Sequence, residues 1–312
     1  LGGGFIRGGL YILGARPAVG KSTFALRTAL ELAPEAPRYY VATMLPHDAE
    51  DEERIRRHCR AREGLGFETI ERGLRLADIP ELVRHGAVFV LDSVTALLEN
   101  AMFPYGGEMQ PDAAKVCEAE LAAFLDGVEN AVMISDYIYS NAFRASESTR
   151  AYMRGLARLD RLLAARCVRT VEICAGTAAE YGKCETEREA DGMELIIGGA
   201  HQGKLGYAKS VLGVTEAEIC FCSETEEPEL AKRCVCGLER YLLGCIRRGE
   251  EPKLDDLRQD AVVIMEDIFC GLVPITAEER AWRELAGRTS AQLAARATRV
   301  TRIFCGLPQR LK

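Results

Sequence analysis

Apolar runs alternate with amphipathic stretches along the first half of the chain. Short runs rich in β-branched and aromatic residues predict strands near 9–13, 38–43, 87–92, 131–135 and 168–174. Apolar positions that recur every three to four residues predict helices near 21–32, 48–62 and 148–166. Strands that alternate with helices form a parallel sheet covered on both faces. The pattern therefore predicts an α/β fold with a mostly parallel sheet.

The chain contains an internal repeat whose segments recur at one constant offset. Three segments share this offset: RAYMRGLAR from 150 with RAWRELAGR from 280, LAAR from 163 with LAAR from 293, and ICAG from 173 with IFCG from 303. A second glycine loop, Gly198–Leu205, also occurs, but Lys21 and Lys204 are separated by more than this offset. The second copy is therefore shorter between its loop and its later strands.

The repeat predicts two domains. The polar segment 184–192, which ends in Asp-Gly, is predicted to be a linker between a first domain at 1–183 and a shortened second copy at 193–312. Strands of the second copy are predicted near 193–197, 217–222, 261–266 and 299–305. The missing segment includes the stretch around His58, so the second copy has no counterpart of this histidine.

A phosphate-binding loop is predicted at Gly14–Ser22, GARPAVGKS, between a predicted strand and a predicted helix. Backbone N–H groups of such a loop face nucleotide phosphates, the lysine reaches the β and γ oxygens, and the serine hydroxyl binds Mg²⁺. Ala15 takes the first glycine position of the motif, and a purely structural turn is the alternative. The nucleotide-binding residues predicted in this segment are Gly14, Ala15, Arg16, Gly20, Lys21, Ser22 and Thr23.

Carboxylates follow the predicted strands. Asp92 ends the apolar run 87–92 and is the expected second Mg²⁺ contact, or the residue that holds a water molecule. Asp136 follows the run 132–135, at the strand end where open α/β sheets bind ligands. Glu71 ends the segment 67–71 and is a lesser candidate, with an exposed strand-end acid as its alternative.

A basic stripe lies on the helix predicted at 48–62. Arg54, His58 and Arg62 are four residues apart and share one helix face. A neutral imidazole can attack phosphorus, and neighbouring arginines can hold a polyphosphate. The alternative is a solvated basic face with an incidental histidine, which the residues alone favour. His85 and His201 lack such neighbours and are predicted to lie on the surface.

Composition excludes some partners. The formal net charge is −7, and no long basic block occurs, so nothing indicates nucleic-acid binding. No apolar run approaches a membrane-spanning length, and the glycine-rich start does not have the pattern of a signal peptide. Twelve cysteines in such a chain indicate reduced thiols and a cytoplasmic location. The pairs 220/222 and 234/236 have C-x-C rather than C-x2-C spacing, so zinc is not expected.

Four segments carry a resemblance to a known family. They are YYVATMLPHDAEDEERIRRHCRAREGLGFETIE from 39, VFVLDSVTALLENAMF from 88, TRAYMRGLARLDRLLAARCVRTVEICAG from 149 and GLVPITAEERAWRELAGRTSAQLAARATRVTRIFCGLPQRLK from 271. Together they resemble the bifunctional adenosylcobinamide kinase/adenosylcobinamide-phosphate guanylyltransferase family. The resemblance spans both copies and nearly the whole chain. It implies a RecA-like P-loop fold, present here as a tandem repeat.

The resemblance also implies two reactions of cobalamin assembly. In the first, ATP or GTP phosphorylates the aminopropanol hydroxyl of adenosylcobinamide. In the second, GTP guanylylates a histidine, and the GMP passes to adenosylcobinamide phosphate. His58 falls at the guanylylated position, and Lys21 and Asp92 belong to the same catalytic set. The positions that match guanine-nucleotide contacts are Ala42, Thr43, Met44, Cys59, Arg60, Ala61, Arg62, Glu71 and Asp92.

Departures from the family leave two other hypotheses open. The sequence GGLYILGARPAVGKSTFAL is more similar to replicative-helicase ATPases, which supports a recombinase- or helicase-like ATPase. The number of departures supports a nucleotide-binding regulator without catalysis. Leu205 stands where the second copy needs a serine or threonine for Mg²⁺. The first copy is therefore the expected enzyme and the second a degenerate partner, while a homo-oligomer stays open.

Overall fold

The computed structural model describes residues 10–15, 21–32, 34–46, 49–104, 107–140, 146–174, 177–182, 192–268 and 276–312. These residues divide into two compact units. The first lies within Leu1–Tyr137 and Ser146–Tyr181, and the second within Ile138–Ala145 and Gly182–Lys312. Most of the predicted linker, 184–191, is outside the described residues, so the domain boundaries stay a prediction.

The first unit is an α/β layer structure around a seven-stranded sheet in the order β3-β2-β4-β5-β1-β6-β7. All neighbours are parallel except β7, which forms an antiparallel hairpin with β6. A 3₁₀ helix at Leu76–Leu82 precedes β4. The strands are β1 Leu10–Ala15, β2 Arg38–Ala42, β3 Phe67–Glu71, β4 Val88–Asp92, β5 Asn130–Asp136, β6 Arg169–Cys174 and β7 Thr177–Tyr181. The helices are α1 Lys21–Leu32, α2 Ala49–Arg62, α3 Val94–Met102, α4 Ala113–Asp126 and α5 Glu147–Arg166.

The second unit has a six-stranded sheet in the order β13-β12-β8-β11-β10-β9. Its only antiparallel pairing among the described strands is the β12–β13 hairpin. The strands are β8 Glu194–Gly198, β9 Ile219–Phe221, β10 Cys234–Cys236, β11 Val262–Glu266, β12 Arg299–Phe304 and β13 Leu307–Arg310. The helices are α6 Lys204–Ser210, α7 Leu238–Arg248 and α8 Ala277–Arg296.

Both sheets follow the same RecA-like order, in which the strand before the glycine loop lies between the last crossover strand and the strand that ends in an acid. The structure confirms the repeat: α5 and α8 have 20 residues each and start at Glu147 and Ala277, the same offset as the repeated segments. Each begins at a hydroxyl N-cap, Ser146 or Thr276, whose side chain accepts from the backbone N–H three residues later. In the second unit β9 leads to β10 without a helix, so α2 and β3 have no counterpart there.

Burial explains which elements the hydrophobic pattern predicted. All residues of β5 are buried, as are Val88–Leu91 of β4, because a central parallel strand is covered on both faces. The pattern missed the helices α3, α4, α6 and α7, and it also missed the strands β7, β10 and β13. The strand β10 is very short, and β7 and β13 are edge strands, so they are defined by pairing with a neighbour rather than by an apolar run.

Two cysteines of the second unit pack in different core clusters. Cys222 packs in one core cluster with Val235, and Cys234 packs in the other with Ile219. Burial raises the pKa of the Cys234 thiol to about 12. Within the described ranges, no three His, Cys, Asp or Glu side chains come together as a metal-binding group. In the same ranges, no helix has both the length and the apolar character needed to cross a membrane.

Two helical glycines of the second unit provide a matched test of its packing. A Cβ at Gly244 in α7 would lie 2.3 Å from the backbone oxygen of Glu224, whereas a Cβ at Gly206 in α6 would meet no atom within 4 Å. We expect Gly244→Ala to lower the free energy of unfolding by about 1–3 kcal/mol through overpacking. Gly206→Ala should raise it by about 0.5–1 kcal/mol, because alanine is the better helix former. Urea unfolding of the two variants beside wild type measures both effects, and equal midpoints would contradict the packing of α7.

Candidate functional site

The site lies at the carboxyl ends of the central strands of the first unit. Lys21 and Ser22 are the first residues of α1, so they follow the glycine loop directly. The buried Lys21 ammonium pairs with the Asp136 carboxylate at the end of β5. The Ser22 hydroxyl donates to Asp92 Oδ2 at the end of β4, at 2.8 Å. A hydroxyl and a carboxylate oxygen this close fit the ligand pair that Mg²⁺ takes in P-loop proteins.

Asp92 also connects the loop to the histidine on α2. His58 Nδ1 lies 3.4 Å from Asp92 Oδ2 and 3.4 Å from the Tyr40 hydroxyl. Tyr40 donates to the same Asp92 oxygen at 2.5 Å. Burial alone would raise the pKa of Asp92, but hydrogen bonds from His58, Tyr40 and Ser22 hold it below its usual range. Asp92 is therefore an ionised, buried acceptor at neutral pH.

Arg62 lies one turn after His58 on α2 and is 9% exposed. Its guanidinium carbon is 4.2 Å from the centre of the Tyr40 ring, within the range of a cation–π contact. The same group donates to Thr69 Oγ1 and to Cys59 Sγ, both at 3.2 Å. His58 and Arg62 thus line the same cavity. The Arg54 side chain lies outside the described part of the structure.

These groups surround a cavity of about 560 Å³, a size typical of small-ligand sites. Its wall is mixed in character, with apolar residues and charged residues of both signs. The lining residues are Tyr40, Ala42, Met44, Leu45, Pro46, Glu52, Ile55, Arg56, His58, Arg62, Glu71, Asp92, Ser93, Thr95, Ala96, Glu99 and Asp136. The set includes seven residues that were predicted from the sequence: Ala42, Met44, His58, Arg62, Glu71, Asp92 and Asp136.

Thr43 is not part of the cavity wall, but it bonds to Ser93, which is. It is fully buried, and its hydroxyl donates to the Ser93 carbonyl at 2.7 Å while accepting from the Ser93 N–H at 2.6 Å. Asn100 of α3 donates to the Thr43 carbonyl at 2.7 Å and to the Gly73 carbonyl at 3.1 Å. These hydrogen bonds hold together the segments that follow β2, β3 and β4, next to the cavity wall.

Other predicted residues lie away from the cavity. Thr23, Cys59, Arg60 and Ala61 are exposed and are not part of its wall. Gly14 and Ala15 end β1, whereas Arg16 and Gly20 lie outside the described residues. His85 and His201 are exposed, as predicted.

Several residues of the cavity wall were not predicted from the sequence. Tyr40 precedes Ala42 and Met44 at the alternating positions that face one side of a strand, so that spacing was an available signal. Ser93, Thr95 and Glu99 come from the turn after β4 and from α3, the helix that the pattern did not predict. Thr95 Oγ1 accepts from the Asp136 N–H at 2.9 Å, which ties α3 to β5.

Strand register identifies the corresponding positions of the second unit. Ala15 pairs with Asp136, and Gly198, at the same loop position, pairs with Glu266. In the first unit, Asp92 pairs in register with Ile134, which is two residues before Asp136. In the second unit, Cys236 pairs in register with Ile264, which is two residues before Glu266. Cys236 therefore occupies the register position of Asp92, while Leu205 replaces Ser22. The second unit therefore has neither a hydroxyl nor a carboxylate at these two positions.

Lys204, the lysine of the second loop, bonds to carbonyl groups of that loop. Lys204 donates to the Gly198 and Gly199 carbonyls at 3.0 and 2.6 Å. Glu239 accepts from the Glu266 N–H at 3.0 Å, as Thr95 does from Asp136 in the first unit. Burial, together with the charge of Glu266, raises the pKa of Glu239 to about 7. A lysine bonded to its own loop, beside two acids, is a poor receptor for phosphate.

The family described as cobinamide kinase / cobinamide phosphate guanyltransferase matches residues 10–181 and 250–311, three quarters of the chain. No curated protein matches the chain in sequence. Among solved structures, one described as an ATPase domain aligns with 10% identity and a TM-score of 0.34, covering 53% of this chain and 69% of that one. The flagellar accessory protein FlaH from Methanocaldococcus jannaschii aligns with 16% identity and a TM-score of 0.32, covering 58% and 80%.

The two lysines should differ in their effect on activity. Lys21→Ala is expected to lower phosphoryl transfer at least ~10²-fold, because the lysine stabilises charge on the transferred group. Lys204→Ala should stay within about 2-fold of wild type, because its partners are loop carbonyls. Calorimetric titration with a non-hydrolysable GTP analogue and Mg²⁺ should give one site per chain. A second site that Lys204→Ala removes would contradict the assignment of the second loop.

Proposed function

The chain belongs to the cobinamide kinase / cobinamide phosphate guanyltransferase family, and from that membership we propose that its first unit performs both reactions. ATP or GTP phosphorylates adenosylcobinamide, and GTP then supplies GMP to adenosylcobinamide phosphate through a covalent intermediate on His58. The observation that carries the proposal is a shared contact. Asp92 Oδ2 is 2.8 Å from Ser22 Oγ and 3.4 Å from His58 Nδ1. One carboxylate thus joins the phosphate loop to the histidine.

For the kinase step, the substrate hydroxyl attacks the γ-phosphorus, a new P–O bond forms, and the nucleoside diphosphate leaves. In this proposal Lys21 reaches the β and γ oxygens after a nucleotide displaces its pairing with Asp136. Ser22 and Asp92 would hold Mg²⁺, which neutralises charge on the phosphates. Phosphoryl transfer depends mainly on such positioning and electrostatic stabilisation.

For the guanylyl step, an imidazole nitrogen of His58 attacks the α-phosphorus of GTP. A P–N bond forms, the bond to the bridging oxygen breaks, and pyrophosphate leaves. An oxygen of adenosylcobinamide phosphate then attacks the same phosphorus, the P–N bond breaks, and His58 is regenerated. Asp92 balances the positive charge that the ring gains during attack, as a carboxylate does in other nucleophile–histidine sites. Arg62 lines the same cavity and supplies positive charge for the phosphates.

His58→Asn should separate the two activities. Incubation with α-³²P-GTP and Mg²⁺ should label wild type through an acid-labile, base-stable bond at His58, because a phosphoramidate has this stability. The variant should lose the label by ~10³-fold or more, because asparagine cannot form the bond. Phosphorylation of adenosylcobinamide from γ-³²P-ATP should stay within about 3-fold of wild type.

Two further variants sharpen this test. His85→Asn changes an exposed histidine that is outside the cavity, and it should label normally. Arg62→Ala keeps the acceptor nitrogen and should slow labelling while weakening GTP binding. Normal labelling of His58→Asn would show that the nucleophile is another group. Nucleotide turnover without any label would indicate an ATPase, and binding without turnover would indicate a regulator.

Asp92→Asn should affect both reactions together. The amide keeps the size of the side chain but lacks the charge that faces Ser22 and His58, so both rates should fall by ~10²-fold or more. The matched control is Glu68→Gln on β3, an exposed carboxylate that is not part of the cavity wall, which should leave both rates within about 2-fold. Kinase and labelling assays on the two variants measure this difference. A loss of only one activity in Asp92→Asn would contradict the shared carboxylate.

A further inference from the structure

We propose that Tyr40 is a positioning residue for guanylyl transfer, whose hydroxyl fixes Asp92 and makes His58 carry its ring proton on Nδ1 and its lone pair on Nε2. This inference rests on the proposed role of His58 and deepens it, since it names the nucleophilic nitrogen. It assigns no chemical step to Tyr40, which touches the histidine and the carboxylate but not the reacting phosphorus.

The Tyr40 hydroxyl contacts both Asp92 Oδ2 and His58 Nδ1. Tyr40 lies 2.5 Å from this oxygen, closer than Ser22 Oγ at 2.8 Å and His58 Nδ1 at 3.4 Å. The Tyr40 oxygen is also 3.4 Å from His58 Nδ1. His58 Nδ1 therefore faces two oxygen atoms that are themselves hydrogen-bonded to each other.

The tautomer of His58 follows from which groups around Nδ1 have a proton to donate. A phenol has one proton, and Tyr40 donates it to Asp92, so its oxygen can only accept from His58. An ionised carboxylate also only accepts. The Tyr40 hydroxyl lies 2.5 Å from Asp92 Oδ2, so the phenol is the donor of that pair. Nδ1 must then be the donor of the ring, which leaves the Nε2 lone pair to attack phosphorus.

The ring of Tyr40 is held independently of its hydroxyl. It is 3% exposed and packs in the core cluster under α1, with Ala25 and Val90 among the members of that cluster. The Arg62 guanidinium covers the ring, and Thr69 and Cys59 hold that guanidinium. Phenylalanine would keep the packing and the cation–π contact. Tyr40→Phe therefore removes the hydroxyl alone.

The kinase step should depend less on this hydroxyl. The contact between Ser22 and Asp92 does not pass through Tyr40, and the pairing of Lys21 with Asp136 belongs to a neighbouring strand. Loss of the phenol leaves both in place. The two activities should therefore respond to Tyr40→Phe by different factors, which a general loss of structure would not produce.

The first measurement is the tautomer of His58, from long-range ¹H–¹⁵N correlation spectra at pH 8 on the full chain. The chain has four histidines, and His58→Asn identifies the His58 signals. Wild type should show the proton on Nδ1. Tyr40→Phe should shift the population towards the Nε2–H form, which is the usual preference of a free imidazole. The control is Tyr39→Phe, a buried tyrosine stacked on Phe89 at 5.6 Å between ring centres, which should leave the tautomer unchanged.

The second measurement is the single-turnover rate of labelling from α-³²P-GTP. Tyr40→Phe should lower this rate at least ~10-fold, because an orienting partner of a catalytic histidine is worth that much or more. The kinase kcat should fall by a smaller factor than the labelling rate, and the dissociation constant for GTP is measured beside both. Tyr39→Phe should match wild type in all three quantities.

The outcomes distinguish this inference from the proposed function. An Nε2–H tautomer in wild type overturns the inference, and so does a Tyr40→Phe variant with unchanged tautomer and labelling rate. An equal loss of both activities, with a lower melting temperature, also overturns it, since Tyr40 would then be structural. If wild type never forms a label, the proposed function fails, and the tautomer spectra still decide the effect of Tyr40 on His58.

Discussion

A single carboxylate oxygen, Asp92 Oδ2, is the contact on which the rest of the first unit's site depends. It accepts from Ser22 of α1 and Tyr40 of β2, and it lies 3.4 Å from His58 of α2. These donors keep Asp92 ionised although it is buried, because each of them stabilises the charged form. A shift of any of the three elements would leave a buried charge with fewer partners, which is costly. The loop, the strand and the histidine helix are therefore positioned together.

The sheet positions the residues that contact Asp92. The second unit has a similar sheet but different residues at the corresponding positions. Apart from β3, both sheets have the same strand order, and register makes Glu266 the counterpart of Asp136. The second unit nevertheless has Cys236 and Leu205 in place of Asp92 and Ser22, and β9 reaches β10 without a counterpart of α2. Its lysine is bonded to its own loop instead. The same fold can hold different residues at corresponding positions, because packing and catalysis use different residues.

Much of the fold followed from local patterns. The helices α1 and α2 lie close to their predicted bounds, and the offset of the repeated segments recurs in α5 and α8. Long amphipathic segments carry a strong periodic signal, so such helices are predictable. The short strand β10 carried no such signal, and α3 was not recognised because its run VTALLENAM is apolar on most sides. Both elements are specified by their neighbours in the folded unit.

The sequence by itself determined the chemical inventory: the Lys21-Ser22 pair after a glycine loop, the acid that ends β4, the histidine on α2, and the absence of a metal-binding hydroxyl at Leu205. Only the tertiary structure decided which of these groups meet. Lys21 and Asp136 are 115 positions apart, and Tyr40 and Asp92 are 52 apart. Contacts of this kind depend on the register of the parallel strands and on how α2 packs against the sheet. The register and the packing of α2 are set by the whole unit. The local sequence around Tyr40 or Cys236 does not predict them.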